Sequence, residues 1–250
     1  MPTADFRLPI ATLFAFATLA LAQESPAPPE LATSTASPSA TELPLSSSAT
    51  IASAAPATPA PARNVRISFL PPPLEGKISL GIYDANGQLV RVLHQEAELD
   101  EFTVGADALV TKWDGKNDDG EDLPPGKYHA RGFMVGHLKI EDLGKVANPV
   151  SDSNVAVTPV KLMPNPLAKD AKTMVELAVG FDDVNSYLKT TDGLPLFTIS
   201  PTPNLVRASI TKNGEKSVDI FEDDGTAVTQ YRVSNIDKMM AFDCGDFELK

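Results

Sequence analysis

Two runs of acidic residues in the second half of the chain are the first candidates for chemistry. They are Asp182-Asp183 and Glu222-Asp223-Asp224, and both lie in turn-like sequence. A glycosidase needs two carboxylates at a defined separation across a sugar-binding cleft. An aspartate in a turn only has to accept a backbone N–H. Aromatic residues on which a sugar could stack make up only 6% of the chain. We therefore interpret both runs as turn caps.

The other residues capable of acid–base, nucleophilic or metal chemistry are few and scattered. The histidines are His94, His129 and His137, and the one cysteine is Cys244, which excludes an intrachain disulfide. The sequence lacks HExxH, GxSxG, GxxxxGK[ST], GxGxxG and CxxC motifs. We place His129 at a half-exposed strand position and interpret Cys244 as a core residue, since cysteine is often buried. The sequence thus predicts no catalytic, cofactor-binding or metal-binding residue, and a protein that is not an enzyme.

The acidic stretch TKWDGKNDDGEDLPPGKY at 111–128 raises the question of a calcium site. A helix-flanked calcium loop requires oxygen ligands at alternate positions and glycine at position 6. Counted from Asp114, position 6 is Asp119, and counted from Asn117 it is Asp122. Because the template fails in both registers, we interpret these acids as caps of successive turns. A calcium site of another kind is kept as an alternative.

The elements around this stretch have the period-two pattern of short β-strands. Apolar residues alternate through 64–135, and Asn86-Gly87 predicts a type I′ hairpin turn, in which both central residues have positive φ. Trp113, the only tryptophan, continues one alternating face and is expected to cover the core. Several short strands separated by turn residues predict a small β-sandwich over 64–135.

Two motifs in this unit resemble the immunoglobulin-like domain of flagellar hook-capping proteins, which recurs in many exported bacterial proteins. They are the I-Y-D-x-x-G-x-x-V-R hairpin and the W-D-G-x-x-D-x-G-x-x-x-P-x-G-x-Y signature, and the similarity covers 64–135. The resemblance implies an immunoglobulin-like β-sandwich with a structural or assembly role, and it carries over no catalytic residue. The hook-capping role itself is not expected, because those proteins have a hook-binding region and leave without a cleavable signal.

Residues 136–250 predict a second all-β domain with an internal repeat. The segment 177–200 aligns with 209–234 at a spacing of 32 positions, with an Asp-Gly turn in register. A third start at Ala241 ends after one strand and a turn. Each copy predicts a three-stranded β-meander. We prefer a second sandwich built from packed hairpins over two alternatives, a propeller-like fragment and blades that associate between chains.

The first 63 residues predict export from the cell. An apolar run ends in Ala20-Leu21-Ala22, the small-x-small pattern of a cleavage site, so we assign 1–22 to a signal peptide. Residues 23–63 consist largely of Pro, Ala, Ser and Thr, which predicts a disordered linker. No later apolar run reaches the ~18 residues of a membrane helix. We therefore expect no membrane span after signal removal.

The net charge of −12 is spread along the chain and leaves no basic face for nucleic acid. We predict a non-enzymatic structural or protein-interaction protein of the bacterial envelope or extracellular space. Its location would be periplasmic, at the cell surface or extracellular, and its partners other proteins there. One alternative is an envelope hydrolase or carbohydrate-binding protein with a cleft in 136–250. Another is an adhesin-like module stiffened by calcium.

Overall fold

The computed structural model describes residues 63–147, 157–168, 172–201 and 204–250. These residues form strands joined by turns and one short 3₁₀ helix, so the prediction of an all-β fold is confirmed. The predicted signal peptide at 1–22 lies outside the described residues, as does all of the predicted linker except Arg63. In the described part of the chain, no helix is long and apolar enough to cross a membrane.

Fifteen strands lie in the described residues. In chain order they are β1 (Val65–Phe69), β2 (Gly76–Tyr83), β3 (Leu89–Ala97), β4 (Thr103–Val104), β5 (Leu109–Trp113), β6 (Gly126–Gly136), β7 (Lys139–Val146), β8 (Thr158–Lys161), β9 (Met174–Phe181), β10 (Asn185–Thr190), β11 (Pro195–Pro201), β12 (Arg207–Lys212), β13 (Ser217–Asp223), β14 (Val228–Ser234) and β15 (Met239–Leu249). The 3₁₀ helix, Leu99–Glu101, precedes β4.

The strands form four antiparallel sheets. Sheet 1 has the order β1-β5-β4, sheet 2 β15-β6-β2-β3, sheet 3 β11-β10-β9-β8 and sheet 4 β12-β13-β14-β7. Sheets 1 and 2 enclose one apolar core, and we call them the first sandwich. Sheets 3 and 4 enclose another, and we call them the second sandwich. Phe133, Val135 and Met239 of sheet 2 belong to the second core, so the two sandwiches share packed side chains.

Trp113 is fully buried in the first core, as the sequence predicts. Its indole N–H donates to the backbone oxygen of Lys116 at 2.8 Å, so the one polar atom of the ring is satisfied. The ring meets Tyr128 and Phe247 edge to face, with centroid distances of 5.2 and 5.7 Å. Edge-to-face contact places the positive ring edge on the negative face of its neighbour.

The hairpin between β2 and β3 differs from the predicted type I′ turn. Gly87 has a φ of +79°, but Asn86 is not among the non-glycine residues with positive φ. The side chain of Asp84 explains the difference, since its Oδ1 accepts the N–H groups of Asn86 and Gln88, both at 2.9 Å. With this side-chain cap the turn spans five residues, 84–88, instead of the two residues of a type I′ turn.

The second sandwich contains two β-meanders, β9-β10-β11 and β12-β13-β14, whose strands lie about 32 positions apart. Leu188 and Ile220, which the alignment places opposite each other, are both fully buried. The Asp-Gly turns end in Gly193 and Gly225, with φ of +102° and +84°, a region that glycine adopts without a steric penalty. Each meander gains one more strand, β8 beside β9 and β7 beside β14.

The predicted third start of the repeat is wrong. Residues 239–249 form one strand, β15, and Cys244-Gly245 makes a bulge inside it where we expected a turn. β15 pairs with β6 from Met239 to Leu249, so the sheet of the first sandwich includes a strand from outside 64–135. Cys244 is partly buried against the first core, and burial raises the pKa of its thiol to about 12.

Candidate functional site

One end of the second sandwich brings together both acidic runs of the sequence. The turn from β9 to β10 holds Asp182 and Asp183, and the end of β13 with its turn holds Asp223 and Asp224. The connection from β11 to β12 reaches the same end, because Arg207 in β12 pairs with Asp223. We define the tip as residues 181–185, 206–207 and 223–227. Loops at the ends of β-sandwiches often carry binding sites.

Glu222 is buried between sheets 3 and 4 directly below the tip, with 3% of its surface exposed. The hydroxyls of Ser186 and Ser200 donate to its two carboxylate oxygens, the latter at 2.9 Å. Burial raises the pKa of Glu222, the two hydroxyls oppose that shift, and Asp142 adds to it. The interpretation of Glu222 as a turn cap is therefore wrong, since it lies within β13.

The sequence contained a signal for this buried position. Val218, Ile220 and Glu222 are alternate residues of β13, and all three are buried. Alternate residues of a strand share a face, so the pattern places Glu222 with its two apolar predecessors. Ser186 and Ser200, which sequence reasoning missed, are paired in the β10–β11 register and present two hydroxyls side by side.

Three other acids of the tip are turn caps, as predicted, and one of them is Asp223, whose Oδ1 accepts the N–H of Gly225 at 2.9 Å. Asp182 Oδ1 accepts the N–H groups of Val184 and Asn185, both at 2.8 Å, and these bonds lower the pKa of Asp182. Asp224 Oδ1 accepts the hydroxyl and N–H of Thr226 and the next N–H along the chain, which lowers its pKa to about 2. The carboxylates of Asp182 and Asp224 are therefore ionised at neutral pH.

Large apolar side chains are exposed at the same tip. Phe181 is 40% exposed, Val184 64% and Val206 67%. Phe181 pairs with Ser186 across sheet 3 and so shares its face at the rim of the core. The N–H of Val206 donates to the backbone oxygen of Asp223 at 2.8 Å, which attaches this residue to the other sheet. The tip therefore combines fixed carboxylates with apolar surface.

The polar groups directly below the tip are buried away from solvent. A serine nucleophile requires both a general base and access to its substrate. Ser186 and Ser200 each have a carboxylate partner, but both hydroxyl-bearing residues and Glu222 are buried. The three groups instead form a polar link between the inner faces of sheets 3 and 4. Buried polar groups with every partner present fix the alignment of the layers they join.

His94 and His137 lie in different environments. His94 Nε2 lies 2.7 Å from Thr111 Oγ1, and burial lowers the pKa of its imidazole. This histidine therefore joins the two sheets of the first sandwich in its neutral form. His137 is exposed in the turn between β6 and β7.

His129 lies in β6 at a partly exposed position, as expected for a strand that faces solvent on one side. Its Nε2 is 3.0 Å from Asp243 and its Nδ1 is 2.7 Å from Asp246, both in β15. Each ring nitrogen thus faces a different carboxylate, which ties β6 to its neighbour. Among the residues that the structure describes, no three His, Cys, Asp or Glu side chains are grouped to hold a metal ion.

The acids of 111–128 shape the loop between β5 and β6. Asp114 Oδ1 accepts the N–H of Lys116 at 3.1 Å, and Asn117 Oδ1 accepts the N–H of Glu121 at 2.8 Å. Gly120 has a φ of +80° and closes the turn between them. Two successive capped turns are therefore present, but an acid, Asp114, caps the first and the amide of Asn117 caps the second.

Asp118 in the same loop reaches an edge of sheet 2. Its carboxylate accepts the N–H of Val92 in the edge strand β3, at 3.0 Å from Oδ1. Arg91 Nε lies 3.7 Å from the same oxygen, and Arg91 Nη1 donates to the backbone oxygen of Asn117 at 2.6 Å. An unpaired edge N–H can recruit a strand from another chain. The acidic loop therefore covers this edge, a role that sequence reasoning missed.

A polar contact also joins the two sandwiches. Arg131 of β6 donates to Asp192 of the β10–β11 turn at 2.5 Å, and its guanidinium lies 3.9 Å from the centroid of the Tyr83 ring. Burial raises the pKa of Tyr83 to about 12. Asp192 therefore joins the two sandwiches, whereas Asp224, at the matching position of the other meander, caps its own turn.

Comparison of the chain with protein-family models, with curated proteins and with solved structures found no match.

Proposed function

We propose that the chain is a non-enzymatic exported protein with a structural or protein-interaction role in the bacterial envelope or outside the cell. The signal-like residues 1–22 and the Pro/Ala/Ser/Thr-rich linker at 23–63 support export. The resemblance of 64–135 to the immunoglobulin-like domain of hook-capping proteins supports an assembly or interaction role. The partners in this proposal are other envelope or extracellular proteins.

The composition of the tip is the observation that carries the proposal. The buried carboxylate of Glu222 is occupied by two hydroxyls, while Phe181, Val184 and Val206 expose apolar surface to solvent. Enzymes keep their acids and nucleophiles accessible, whereas binding surfaces present apolar side chains with a polar rim. The tip has the second arrangement. A hydrolase with its cleft in 136–250 would instead need a concave site onto which Asp182, Asp183 or Glu222 converges.

Export is tested with residues 1–63 fused to a β-lactamase that lacks its own signal. The fusion should confer ampicillin resistance, and the matched fusion with residues 23–63 alone should not. The purified protein should release no product from a panel of chromogenic glycoside, ester and peptide substrates. Turnover that Glu222→Gln abolishes would replace this proposal by the hydrolase alternative.

The calcium-stiffened alternative is tested by thermal unfolding with added calcium and with chelator. An ion that binds only the folded state must raise the midpoint temperature of unfolding. We expect equal midpoints, because Asp114 and Asp118 of the loop already accept backbone N–H groups. A rise with calcium would favour the adhesin-like alternative.

A further inference from the structure

The apolar part of the tip is attached to turns that side-chain caps hold. Val184 follows the cap made by Asp182, and a methyl group added to Gly225 would lie 3.4 Å from Val206 Cγ2. Phe181 is the last residue of β9 and is held by its pairing with Ser186. Surface that is ordered before binding loses little conformational entropy when a partner docks. These three side chains are thus suited to contact a partner without rearrangement.

The charge around this apolar surface is negative. Four aspartates lie at the tip, namely Asp182, Asp183, Asp223 and Asp224. Two cations offset them in part, since Arg207 pairs with Asp223 at 3.0 Å and Lys145 acts on Asp224 from β7. An apolar surface with a negative rim attracts apolar side chains that are flanked by positive charge.

The charge also decides between the possible occupants. The headgroups of anionic membrane surfaces are negative, and the aspartates would repel them. A second copy of this chain would bring another −12 of net charge and the same acidic rim. A cationic segment of a different protein satisfies both the apolar and the charged part of the surface.

We propose that the tip binds a partner protein through an extended segment in which apolar residues alternate with Lys or Arg. This inference rests on the proposed interaction function and adds the class of partner and the place where it binds. Val184 and Val206 contact the apolar side chains of the segment, and Asp183 faces its positive charges.

The test is fluorescence anisotropy with the full chain and two labelled twelve-residue peptides, one alternating Lys with Leu and one alternating Glu with Leu. We expect the Lys peptide to bind and the Glu peptide to bind at least tenfold more weakly. The double substitution Val184→Ser and Val206→Ser should weaken binding of the Lys peptide at least fivefold. Val104→Ser is the matched control, since Val104 is 79% exposed on the first sandwich, and it should change the affinity less than twofold.

A second pair of variants separates a local site from general attraction to an acidic protein. Asp183→Lys at the tip should weaken binding at least threefold. Asp107→Lys makes the same change of charge at an exposed position of the first sandwich and should have little effect. Equal losses in both variants would overturn the proposal, as would equal binding of the Glu peptide or no binding of either peptide. Circular dichroism confirms that each variant is folded, and Val184→Ser alone replaces the double variant where it is not.

The outcome for the partner is separate from the outcome for the proposed function. Self-association or binding to anionic vesicles that the Val184 and Val206 substitutions abolish would assign the tip to another occupant and overturn the inference. If the β-lactamase fusion gives resistance but neither peptide binds, only the inference about the tip is rejected. If the peptides bind and the β-lactamase fusion gives no resistance, the exported function is lost and the binding site remains.

Discussion

The carboxylate of Glu96 accepts the backbone N–H of Thr198 at 2.9 Å, although 102 positions separate the two residues. The Thr198 hydroxyl donates to the same oxygen. Glu96 lies in β3 at the edge of sheet 2, and Thr198 lies in β11 at the edge of sheet 3. One side chain therefore caps the edge of the second sandwich and joins it to the first. Glu96 has a φ of +48°, and the left-handed region costs a non-glycine residue about 1–2 kcal/mol.

Removal of this contact should destabilise the protein. Glu96→Ala loses a charge-assisted bond and leaves the Thr198 N–H without its partner, at a cost of about 1.5–3 kcal/mol in the free energy of unfolding. Glu96→Gly loses the same bond but releases the strain, so it should be about 1 kcal/mol less destabilising than Glu96→Ala. Urea unfolding of both variants measures the difference. Equal stabilities would mean that the backbone of residue 96 relaxes.

Glu222 should make stability depend on pH. Because burial raises its pKa, the folded state holds this proton more tightly than the unfolded chain. The resulting stabilisation is fully present below the unfolded value, about pH 4.3, and is lost as the pH rises through the folded pKa. Glu222→Gln keeps a polar group of the same size without this loss. Its stability relative to the natural protein should therefore increase from acidic to neutral pH.

Urea unfolding at intervals from about pH 4 to about pH 8 measures this effect. Glu176→Gln is the matched control, because it makes the same substitution at an exposed position of β9. Parallel profiles for Glu222→Gln and the natural protein would contradict the prediction. Glu222→Ala should be destabilising at every pH, since it leaves two buried serine hydroxyls without their acceptor.

Trp113→Ala should lower the free energy of unfolding by about 3–5 kcal/mol, because it empties a fully buried site in the first core. Trp113→Phe should be milder, since it keeps an aromatic ring against Tyr128 and Phe247 and loses the bond to Lys116. Urea unfolding of both variants tests the ranking. A near-neutral Trp113→Ala would show that the side chain is exposed in solution.

Asp118→Ala should cost about 1 kcal/mol, more than a surface turn residue would, because its carboxylate accepts the N–H of Val92. Asp119→Ala makes the same change of charge one residue later, at an exposed position, and should stay within ~0.5 kcal/mol. Asp118→Ala also uncovers the edge of β3, so the variant protein should self-associate more strongly at high concentration. Chemical unfolding and light scattering measure the two effects. Similar results for the two variants would mean that the edge contact contributes nothing.

Residues 64–135 should not fold alone. The fragment lacks β15, which pairs along the full length of β6 and contributes Phe242 and Leu249 to the first core. Mixing the fragment with a peptide of residues 237–250 should restore a cooperative thermal transition, measured by circular dichroism. A peptide with Phe242→Asp should fail to do so. A cooperative transition in the isolated fragment would contradict this prediction.

Local sequence pattern predicted the local structure well. Alternation of apolar residues identified strands, Asp-Gly pairs identified turns, and the 32-residue spacing matched the strands of the two meanders. The burial of Trp113 followed from its place on an alternating face. The predicted turn type at Asn86 was wrong because the side chain of Asp84, which lies outside the turn dipeptide, determines the shape of the turn.

Contacts between distant parts of the chain could not be predicted from such patterns. Alternation shows that β15 has two faces, but it carries no information that β6 is its neighbour. The bond from Thr198 to Glu96 and the cover that Asp118 gives to β3 depend on how the sheets meet. For Glu222 the pattern of β13 did indicate burial, but its acidic neighbours made the turn interpretation more attractive. The tip could not be predicted from the sequence, because its three segments meet only after folding.

The pairing of β15 with β6 also sets the order of events when the chain is made. A ribosome or a translocation channel releases the amino-terminal residues first, and sheet 2 lacks one of its four strands until residue 249 has emerged. Contacts of such long sequence separation form slowly, because a large loop must close first. The first sandwich therefore remains without this strand while the remainder of the chain is synthesised. In the proposed export, such a delay would keep sheet 2 incomplete until the chain had passed through the translocation channel.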